Sequence, residues 1–306
     1  VPFTGRGKLI LPFALVRAAL QARALLRRGD ADVAVGMGGY ASIPLIVGAR
    51  LAGVPSLIHE SGAIAGRANR VAAMLTGNVA LAFDEAAAQF KGKARTVGMP
   101  LNPQIAEFDR GALRPEARSA FGLADGVTMV LVSGGSQGSA RLNEAAVGLA
   151  GRWKHRENVR IVLKAGTTHA DDVAGRLREN GGDAVTELTS FFDRMDHAYA
   201  AADLMVSRAG AGTVAELAAV GLPSILVPYP YAPDDHQAVN ASVLTKVGAA
   251  RLVRDEEATA ERLAPLIEEL LDDPDRLAEM ARATAKVARP EAARELAGWV
   301  LELARG

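Results

Sequence analysis

The residues of this chain best suited to chemistry lie around one glycine-containing turn. The apolar run Leu204 to Val206 predicts a buried parallel strand, and Val214 to Val220 predicts a helix. The turn between them reads Arg208-Ala209-Gly210-Ala211-Gly212-Thr213. A helix start presents free backbone N–H groups that favour an anion, and glycines let a phosphate approach the backbone closely. This stretch therefore predicts phosphate binding.

Glu216 and a polar cluster beyond the next strand add functional groups to this turn. The Glu216 carboxylate would repel a phosphate, so a neutral diol such as a ribose is its better partner. The cluster Asp234-Asp235-His236-Gln237, with Asn240, follows the predicted strand Ser224 to Val227. The pattern predicts a site for a nucleotide that carries a sugar. An ordinary strand–turn–helix unit, in which the glycines serve only the bend, is the alternative.

A second glycine-rich turn follows the apolar strand Val127 to Val132. Its sequence, Ser133-Gly134-Gly135-Ser136-Gln137-Gly138-Ser139, is of the phosphate-cradling type, with serine hydroxyls as donors. It is neither a P-loop nor the dinucleotide fingerprint, because the Gly-Lys-Ser/Thr ending and the third glycine are absent. A NAD site is also disfavoured, since Val159 to Leu163 runs into Lys164 rather than an acidic residue.

His59 and Glu60 end another predicted strand, Val54 to Ile58. In open parallel sheets the carboxyl ends of the strands form the ligand crevice, so His59 is a candidate general base or sugar contact. A loop histidine that hydrogen-bonds to the backbone is the alternative. The pair Phe191-Phe192 is either a wall for a base or part of the core.

Parallel sheets must position these turns, and the chain repeats one such unit. Residues 31–58 and 202–226 share the order strand, glycine turn, helix, Gly-x-Pro-Ser, strand. The repeat predicts α/β architecture with two similar domains facing each other, although Gly-x-Pro also ends many unrelated helices. We place the domains at residues 1–103 and 104–290, divided at a proline-rich break. Residues 291–306 are expected to form a helix that crosses back to the first domain.

Composition limits the possible functions. The 306 residues suffice for two domains, and 35 basic and 35 acidic residues balance, so we expect no nucleic-acid partner. Without cysteine there is no disulfide, thiol nucleophile or cysteine-ligated zinc. Asp234-Asp235 is interpreted as a loop rather than a metal-binding pair, so we expect no metal. We also expect no cofactor. No apolar run is long enough to span a bilayer, and a start at Val1 rather than Met predicts a preceding segment.

Residues 1–30 have a local basic bias. Arg6, Lys8 and Arg17 are among the basic residues that alternate with apolar ones such as Phe13, and Asp30 is the single acid. A basic amphipathic helix can lie on an anionic membrane surface. A surface helix that packs one face on a sheet and keeps its arginines in solvent is the alternative.

These motifs together resemble one family, the bacterial N-acetylglucosaminyltransferases that form lipid II. The matching runs occur in the family's order across nearly the whole chain. They are Gly36-Met37-Gly38-Gly39-Tyr40, Ile58-His59-Glu60, Ala63-Ile64-Ala65-Gly66, Gly134-Gly135-Ser136-Gln137-Gly138, Arg208-Ala209-Gly210-Ala211, and His236-Gln237 with Asn240-Ala241. The resemblance implies a GT-B fold, two Rossmann-like doubly wound parallel-sheet domains with the active site in their cleft. It implies inverting, metal-independent transfer from UDP-N-acetylglucosamine to undecaprenyl-linked lipid I, for peptidoglycan synthesis at the cytoplasmic face of the cell membrane.

The same resemblance implies roles for individual residues. The implied donor-binding residues are Ser136, Phe192, Ala211, Gly212, Thr213, Glu216, Gln237 and Asn240. Among them Glu216 would take the ribose hydroxyls, and Gln237 and Asn240 the sugar hydroxyls. In the acceptor domain, the residues expected on the anionic inner leaflet are Arg6, Lys8, Phe13 and Arg17.

Three features depart from the family pattern. A histidine that the family uses as its proposed base would precede Val1, which leaves His59 as the base candidate in this chain. Ser61-Gly62 replace a Gln-Asn pair, and Gly98-Met99-Pro100-Leu101-Asn102 lacks a donor-binding arginine. A non-catalytic UDP-sugar-binding module and a UDP-sugar epimerase of the same fold are the alternative functions.

Overall fold

The chain divides into two compact units. The computed structural model describes residues 7–90, 93–135 and 138–306, with side chains from Phe13 onward except that of Lys93. One unit contains the described residues up to Pro100 together with Arg289–Gly306, and the other is Leu101–Ala288. Each contains a parallel sheet with helices packed on it, so the predicted α/β class is confirmed.

The described part of the first unit holds a four-stranded parallel sheet in the order β1-β2-β3-β4. Its elements are α1 (Gly7–Arg28), β1 (Ala34–Gly36), α2 (Ser42–Ala52), β2 (Ser56–Glu60), α3 (Arg67–Thr76), β3 (Asn78–Leu81), β4 (Lys93–Thr96) and a C-terminal helix (Ala292–Arg305). Successive strand residues point to opposite faces. Ile58 packs with Ile46 and Ala72 of α2 and α3, whereas Leu57 packs with Trp299 of the C-terminal helix.

The second unit carries, in its described residues, six parallel strands in the order β10-β9-β8-β5-β6-β7. The strands are β5 (Thr128–Ser133), β6 (Val159–Lys164), β7 (Thr186–Thr189), β8 (Leu204–Ser207), β9 (Ser224–Leu226) and β10 (Ala250–Leu252). The helices are α4 (Pro103–Ala106), α5 (Arg110–Ala120), α6 (Ala140–Trp153), α7 (Ala170–Asn180), α8 (Met195–Ala201), α9 (Ala211–Val220), α10 (His236–Lys246), α11 (Ala260–Leu271) and α12 (Pro274–Ala283). The strand order reverses between β5 and β8, and doubly wound sheets bind ligands at the carboxyl ends of the strands at such a switch point.

The helix after β8 begins earlier than the sequence predicts. Its first residue is Ala211 rather than Val214, because Gly210 has an extended conformation (φ −62°, ψ 146°) and acts as the N-cap. Gly212 and Thr213 therefore belong to the first helical turn rather than to a loop. Glu216 lies in the second turn of this helix.

Candidate active site

An open cavity of about 830 Å³ lies at the carboxyl ends of β5 and β8 in the second unit. Residues of both glycine-rich turns line it, together with Glu216, Tyr229 and Gln237. The two turns follow strands that pair directly, with Ser133 opposite Ser207. The fold thus brings together at one switch point two phosphate-type turns that lie far apart in the sequence.

The amino end of α9 opens into this cavity, and no described side chain caps it. First-turn N–H groups have no partner within a helix, and the helix dipole adds partial positive charge to them. The alternative that the glycines serve only the bend fits poorly, because neither Gly210 nor Gly212 has a positive φ. A Cβ at Gly212 would meet nothing within 4 Å. The helix end therefore suits an anion such as a diphosphate.

Two amide side chains from α10 hold the turn before α9 in place. Gln237 accepts hydrogen bonds at Oε1 from the backbone N–H groups of Ala209 (3.1 Å) and Tyr229 (3.0 Å). Asn240 donates from Nδ2 to the Ala209 carbonyl oxygen at 3.1 Å. Gln237 lines the cavity, whereas Asn240 is 1% exposed and lies behind the turn. Gln237 therefore has the side chain that can also reach a ligand.

Arg208 connects the two glycine-rich turns from inside the fold. It is 9% exposed, and its Nη2 donates to Ser139 Oγ at 2.8 Å. Its Nη1 donates to the carbonyl oxygens of Val227 and Pro228 at 3.2 Å and lies 2.6 Å from Asp255 Oδ1. Ser139 is also the N-cap of α6. One buried guanidinium thus joins the ends of β8, β9 and the turn after β5.

The Glu216 carboxylate lies half-buried in the wall of the cavity. Tyr199 donates its hydroxyl hydrogen bond to Glu216 Oε2 at 2.6 Å. Burial raises the pKa of Glu216, while the hydrogen bond from Tyr199 and the positive charge of Lys164 act in the opposite direction. A carboxylate held in this way can accept hydrogen bonds from neighbouring hydroxyl groups of a sugar.

In the first unit, Glu60 organises the loop that follows β2. Its Oε1 accepts from the Gly62 N–H, and its Oε2 accepts from the Gly66 N–H and from Asn69 Nδ2, each at 2.9 Å. Glu60 is 5% exposed, so its charge is satisfied within the loop. Gly62, at a position that departs from the family pattern, supplies one of these backbone donors.

His59 is fully buried, and both of its ring nitrogens have partners in the fold. Nε2 lies 2.9 Å from the Gly98 carbonyl oxygen and therefore carries the proton, while Nδ1 lies 3.4 Å from Ser61 Oγ. Burial lowers the pKa of His59, and the smaller effects of Gly98 and Glu60 raise it. This geometry fits the alternative of a histidine that holds the backbone. Its role as a general base stays a prediction.

Known proteins match both units of the chain. Residues 4–81 match the glycosyltransferase family 28 N-terminal domain, and residues 129–296 match the C-terminal domain of the same family. A Saccharopolyspora erythraea protein named UDP-N-acetylglucosamine--N-acetylmuramyl-(pentapeptide) pyrophosphoryl-undecaprenol N-acetylglucosamine transferase is 42% identical over 97% of this chain and 76% of its own length. The Halothermothrix orenii protein of that name is 38% identical over 95% of this chain and 79% of its own length. The chain belongs to this transferase family.

A crystal structure from the same family has a similar fold. MurG of Acinetobacter baumannii matches with a TM-score of 0.80 at 29% identity, covering 98% of this chain and 82% of that one. The prediction of two Rossmann-like domains of the GT-B class, made from the motifs, is therefore confirmed.

Phe192, a donor-side residue expected from the family, is not among the residues that line the described cavity. Phe192 is half-buried and packs edge to face against Phe121, with ring centroids 6.2 Å apart. Its neighbour Phe191 is 63% exposed and lies 5.4 Å from Lys164 Nζ. Ser136 falls outside the described residues. The donor-binding roles that the resemblance implies for Phe192 and Ser136 stay predictions.

Helix α1 exposes apolar side chains beside a basic one. Phe13 is 78% exposed and Val16 61%, and with Arg17 and Leu20 they line an open groove. Of the other residues expected at a membrane, Arg6 and the side chain of Lys8 lie outside the described part. Among the described helices, none combines the length and the apolar character needed to cross a bilayer.

The described residues contain no cluster of three or more His, Asp or Glu side chains that could hold a metal ion. Asp234 and Asp235 lie in a short 3-10 turn with left-handed φ values of 55° and 51°. Asp and Asn tolerate this conformation better than other non-glycine residues. Their geometry agrees with the predicted loop.

The sequence patterns did not identify the residues that hold the cavity-lining residues in place through hydrogen bonds and ion pairs. Arg208 appeared only as one residue of a motif, and Tyr199 and Asp255 had no motif at all. Tyr199 could have been noticed as a single aromatic in an alanine-rich helix, Ala198-Tyr199-Ala200-Ala201. A lone buried tyrosine usually needs a hydrogen-bond partner.

We expect His59→Gln to make the stability of the chain less sensitive to acid. The pKa of His59 is near 6.5 when unfolded and lower in the fold. Below about pH 6.5 the unfolded chain binds a proton that the native chain excludes, which lowers the free energy of unfolding by up to about 1.4 kcal/mol per pH unit. Glutamine keeps a donor and an acceptor without titrating. Urea unfolding between about pH 7 and 5 should show a shallower pH slope for the variant.

Replacement of an exposed histidine, His155→Gln, is the matched control and should keep the wild-type slope. Equal slopes for wild type and His59→Gln would contradict the assignment of the acid sensitivity to His59.

Proposed function

We propose that this chain transfers N-acetylglucosamine from UDP-N-acetylglucosamine to undecaprenyl-pyrophosphoryl-N-acetylmuramoyl-pentapeptide. The product is lipid II, and the step belongs to peptidoglycan synthesis and hence to cell-wall growth, cell shape and division. Relatives that carry this activity in their names are 38% and 42% identical to the chain. The structural observation that supports the proposal is the uncapped end of α9 beside the Glu216 carboxylate in one cavity.

In this proposal the second unit binds the donor. The N–H groups at the start of α9 and the turn after β5 contact the diphosphate. Glu216 accepts hydrogen bonds from the ribose hydroxyls, and the side-chain amide of Gln237 donates to the transferred sugar. Asn240 acts through the backbone of Ala209, to which it is hydrogen-bonded.

The proposed reaction is an inverting displacement. A base takes the proton of the acceptor hydroxyl, and the acceptor oxygen attacks the anomeric carbon from the face opposite UDP. The bond between that carbon and the diphosphate oxygen breaks, and UDP leaves with the bonding electrons. Negative charge grows on the diphosphate during this step, so fixed N–H dipoles at the start of α9 stabilise the transition state.

The first unit serves the lipid acceptor in this proposal. The apolar face of α1, with Phe13 and Arg17, rests on the anionic inner leaflet at the cytoplasmic face of the cell membrane. Arg6 and Lys8 are expected at the same membrane surface from the sequence alone. Exposed apolar side chains enter the headgroup boundary, and basic ones are attracted to anionic lipids. The protein would then be a peripheral membrane protein.

The Glu216→Ala variant tests the donor site. A hydrogen bond to a charged group contributes about 1.5–3 kcal/mol, so kcat/KM for UDP-N-acetylglucosamine should fall about 10- to 150-fold. A radiolabel transfer assay with a lipid I analogue measures this change. Glu279→Ala, at an exposed position on α12 outside the cavity lining, is the control.

Other outcomes would replace the proposal. Turnover unaffected by both Glu216→Ala and Gln237→Ala would rule out this cavity as the donor site. Release of UDP and N-acetylmannosamine without acceptor would indicate an epimerase. Binding of UDP-N-acetylglucosamine without turnover on a lipid I analogue would indicate a non-catalytic binding module.

A further inference from the structure

We propose that Tyr199 is a positioning residue that holds Glu216 for the nucleoside and thereby sets a preference for ribonucleotide over 2′-deoxyribonucleotide donors. The inference rests on the proposed function, which puts a nucleoside diphosphate sugar in this cavity. It adds a residue that does not itself line the cavity but acts on one that does.

The hydroxyl of the buried Tyr199 side chain is hydrogen-bonded to Glu216. Tyr199 lies in α8, is 1% exposed, and is among the largest fully buried side chains of the described residues. Its hydroxyl donates to Glu216 Oε2 at 2.6 Å, a length typical of a charge-assisted O–H···O bond. A buried phenol needs such a partner, because an unpaired hydroxyl is costly to bury. The Tyr199 hydroxyl therefore links α8 to Glu216 on α9, in the wall of the cavity.

The proton of this bond stays on Tyr199. Burial and the neighbouring Glu216 charge raise the pKa of Tyr199 well above its ordinary value. Glu216 is thus the acceptor, and its Oε2 is occupied. Within the described residues no second donor reaches the Glu216 carboxylate, so Oε1 is left for a ligand on the cavity side.

One fixed oxygen determines where the other can point. A glutamate side chain has three rotatable bonds and loses considerable conformational entropy when it is ordered. The hydrogen bond from Tyr199 orders it before the ligand arrives, which is the preorganisation that a two-hydroxyl contact requires. Lys164, at the end of β6, favours the ionised carboxylate electrostatically but makes no described hydrogen bond to it. Orientation therefore depends on Tyr199.

The Tyr199→Phe variant tests this inference, because it removes the hydroxyl and keeps the ring. Calorimetry on the full chain with UDP and with 2′-deoxy-UDP should show wild type preferring UDP. Loss of one charge-assisted hydrogen bond corresponds to about tenfold, so UDP affinity should fall by about that factor while 2′-deoxy-UDP affinity changes little. In the transfer assay KM for UDP-N-acetylglucosamine should rise with kcat nearly unchanged.

Two controls separate positioning from folding. Tyr231→Phe removes a hydroxyl from a side chain that is 81% exposed and should leave both affinities unchanged. In the Glu216→Gln background, Tyr199→Phe should cause no further loss of the UDP preference, because its effect passes through the carboxylate.

The outcomes that overturn the inference are distinct from failure of the proposed function. Equal losses for UDP and 2′-deoxy-UDP, or an unchanged preference, would show that Tyr199 only packs. Wild-type protein that binds no UDP would overturn both the proposed function and this inference. UDP binding with an unaltered preference in Tyr199→Phe would overturn the inference alone.

Discussion

Replacing Arg208 by Met should lower the free energy of unfolding of the second unit by about 3–5 kcal/mol, the range for breaking a buried ion pair from one side. The side chains of Arg208 and Asp255 are only 10% and 17% exposed, and the variant removes the nearer of the two arginines from the Asp255 carboxylate, the one at 2.6 Å. Ser139 Oγ and the carbonyl oxygens of Val227 and Pro228 lose a donor as well. Urea unfolding followed by tryptophan fluorescence measures the loss.

The chain offers a matched control on the same carboxylate. Arg141 lies 3.9 Å from Asp255, but its side chain is 38% exposed, so Arg141→Met should cost less than about 1 kcal/mol.

The two tryptophans lie in different units, so a Trp299→Phe background makes Trp153 the reporter of the second unit. Adding Asp255→Asn to Arg208→Met should recover part of the loss. Equal costs for the two arginine variants would contradict the role of the buried pair.

Local patterns predicted much of the fold because the strands are short apolar runs between turn residues. The predicted strand Val159 to Leu163 differs from β6 by one residue. The helix that the repeat predicts before Gly-x-Pro-Ser ends at Ala52, because the C-cap Gly53 takes a left-handed φ of 76° that glycine adopts without strain. β7 was missed because none of its four residues is fully buried, which leaves no apolar run to detect.

The candidate site was predictable where chemistry lies in one turn and unpredictable where it depends on distant contacts. The α9 turn and Glu216 could be named as candidates from the residue types of one segment, together with the polar cluster that follows the next strand. The ion pair between Arg208 and Asp255 joins the segments that follow β8 and β10, and no local period encodes such a contact. The burial of His59 could not be predicted either, because a histidine at the end of a strand is exposed in some folds and buried in others. Here the His59 side chain is 0% exposed.

The turn after β5 should bind the donor much more weakly when Gly138 is replaced by alanine. We expect Gly138→Ala to reduce UDP-N-acetylglucosamine affinity by at least about 100-fold, which corresponds to about 2.7 kcal/mol. A Cβ at Gly138 would lie 2.1 Å from the Ala165 carbonyl oxygen, and Gly138 also has a left-handed φ of 78°. That oxygen is held by Asn143 Nδ2 at 3.0 Å, so the turn must move rather than its neighbour. Calorimetry with the full chain measures the affinity.

Gly135 separates the two causes of this effect, backbone strain and collision. It has a similar left-handed φ of 90°, but a Cβ there would meet nothing within 4 Å. Gly135→Ala therefore carries the conformational cost of about 1–2 kcal/mol without displacing the turn. If the collision with Ala165 is the cause, Gly138→Ala must reduce the affinity for UDP-N-acetylglucosamine much more than Gly135→Ala does. Circular dichroism should show that both variants are folded. Equal losses of affinity in the two variants would instead mean that backbone strain in the turn, and not the close approach of Gly138 to Ala165, controls donor binding.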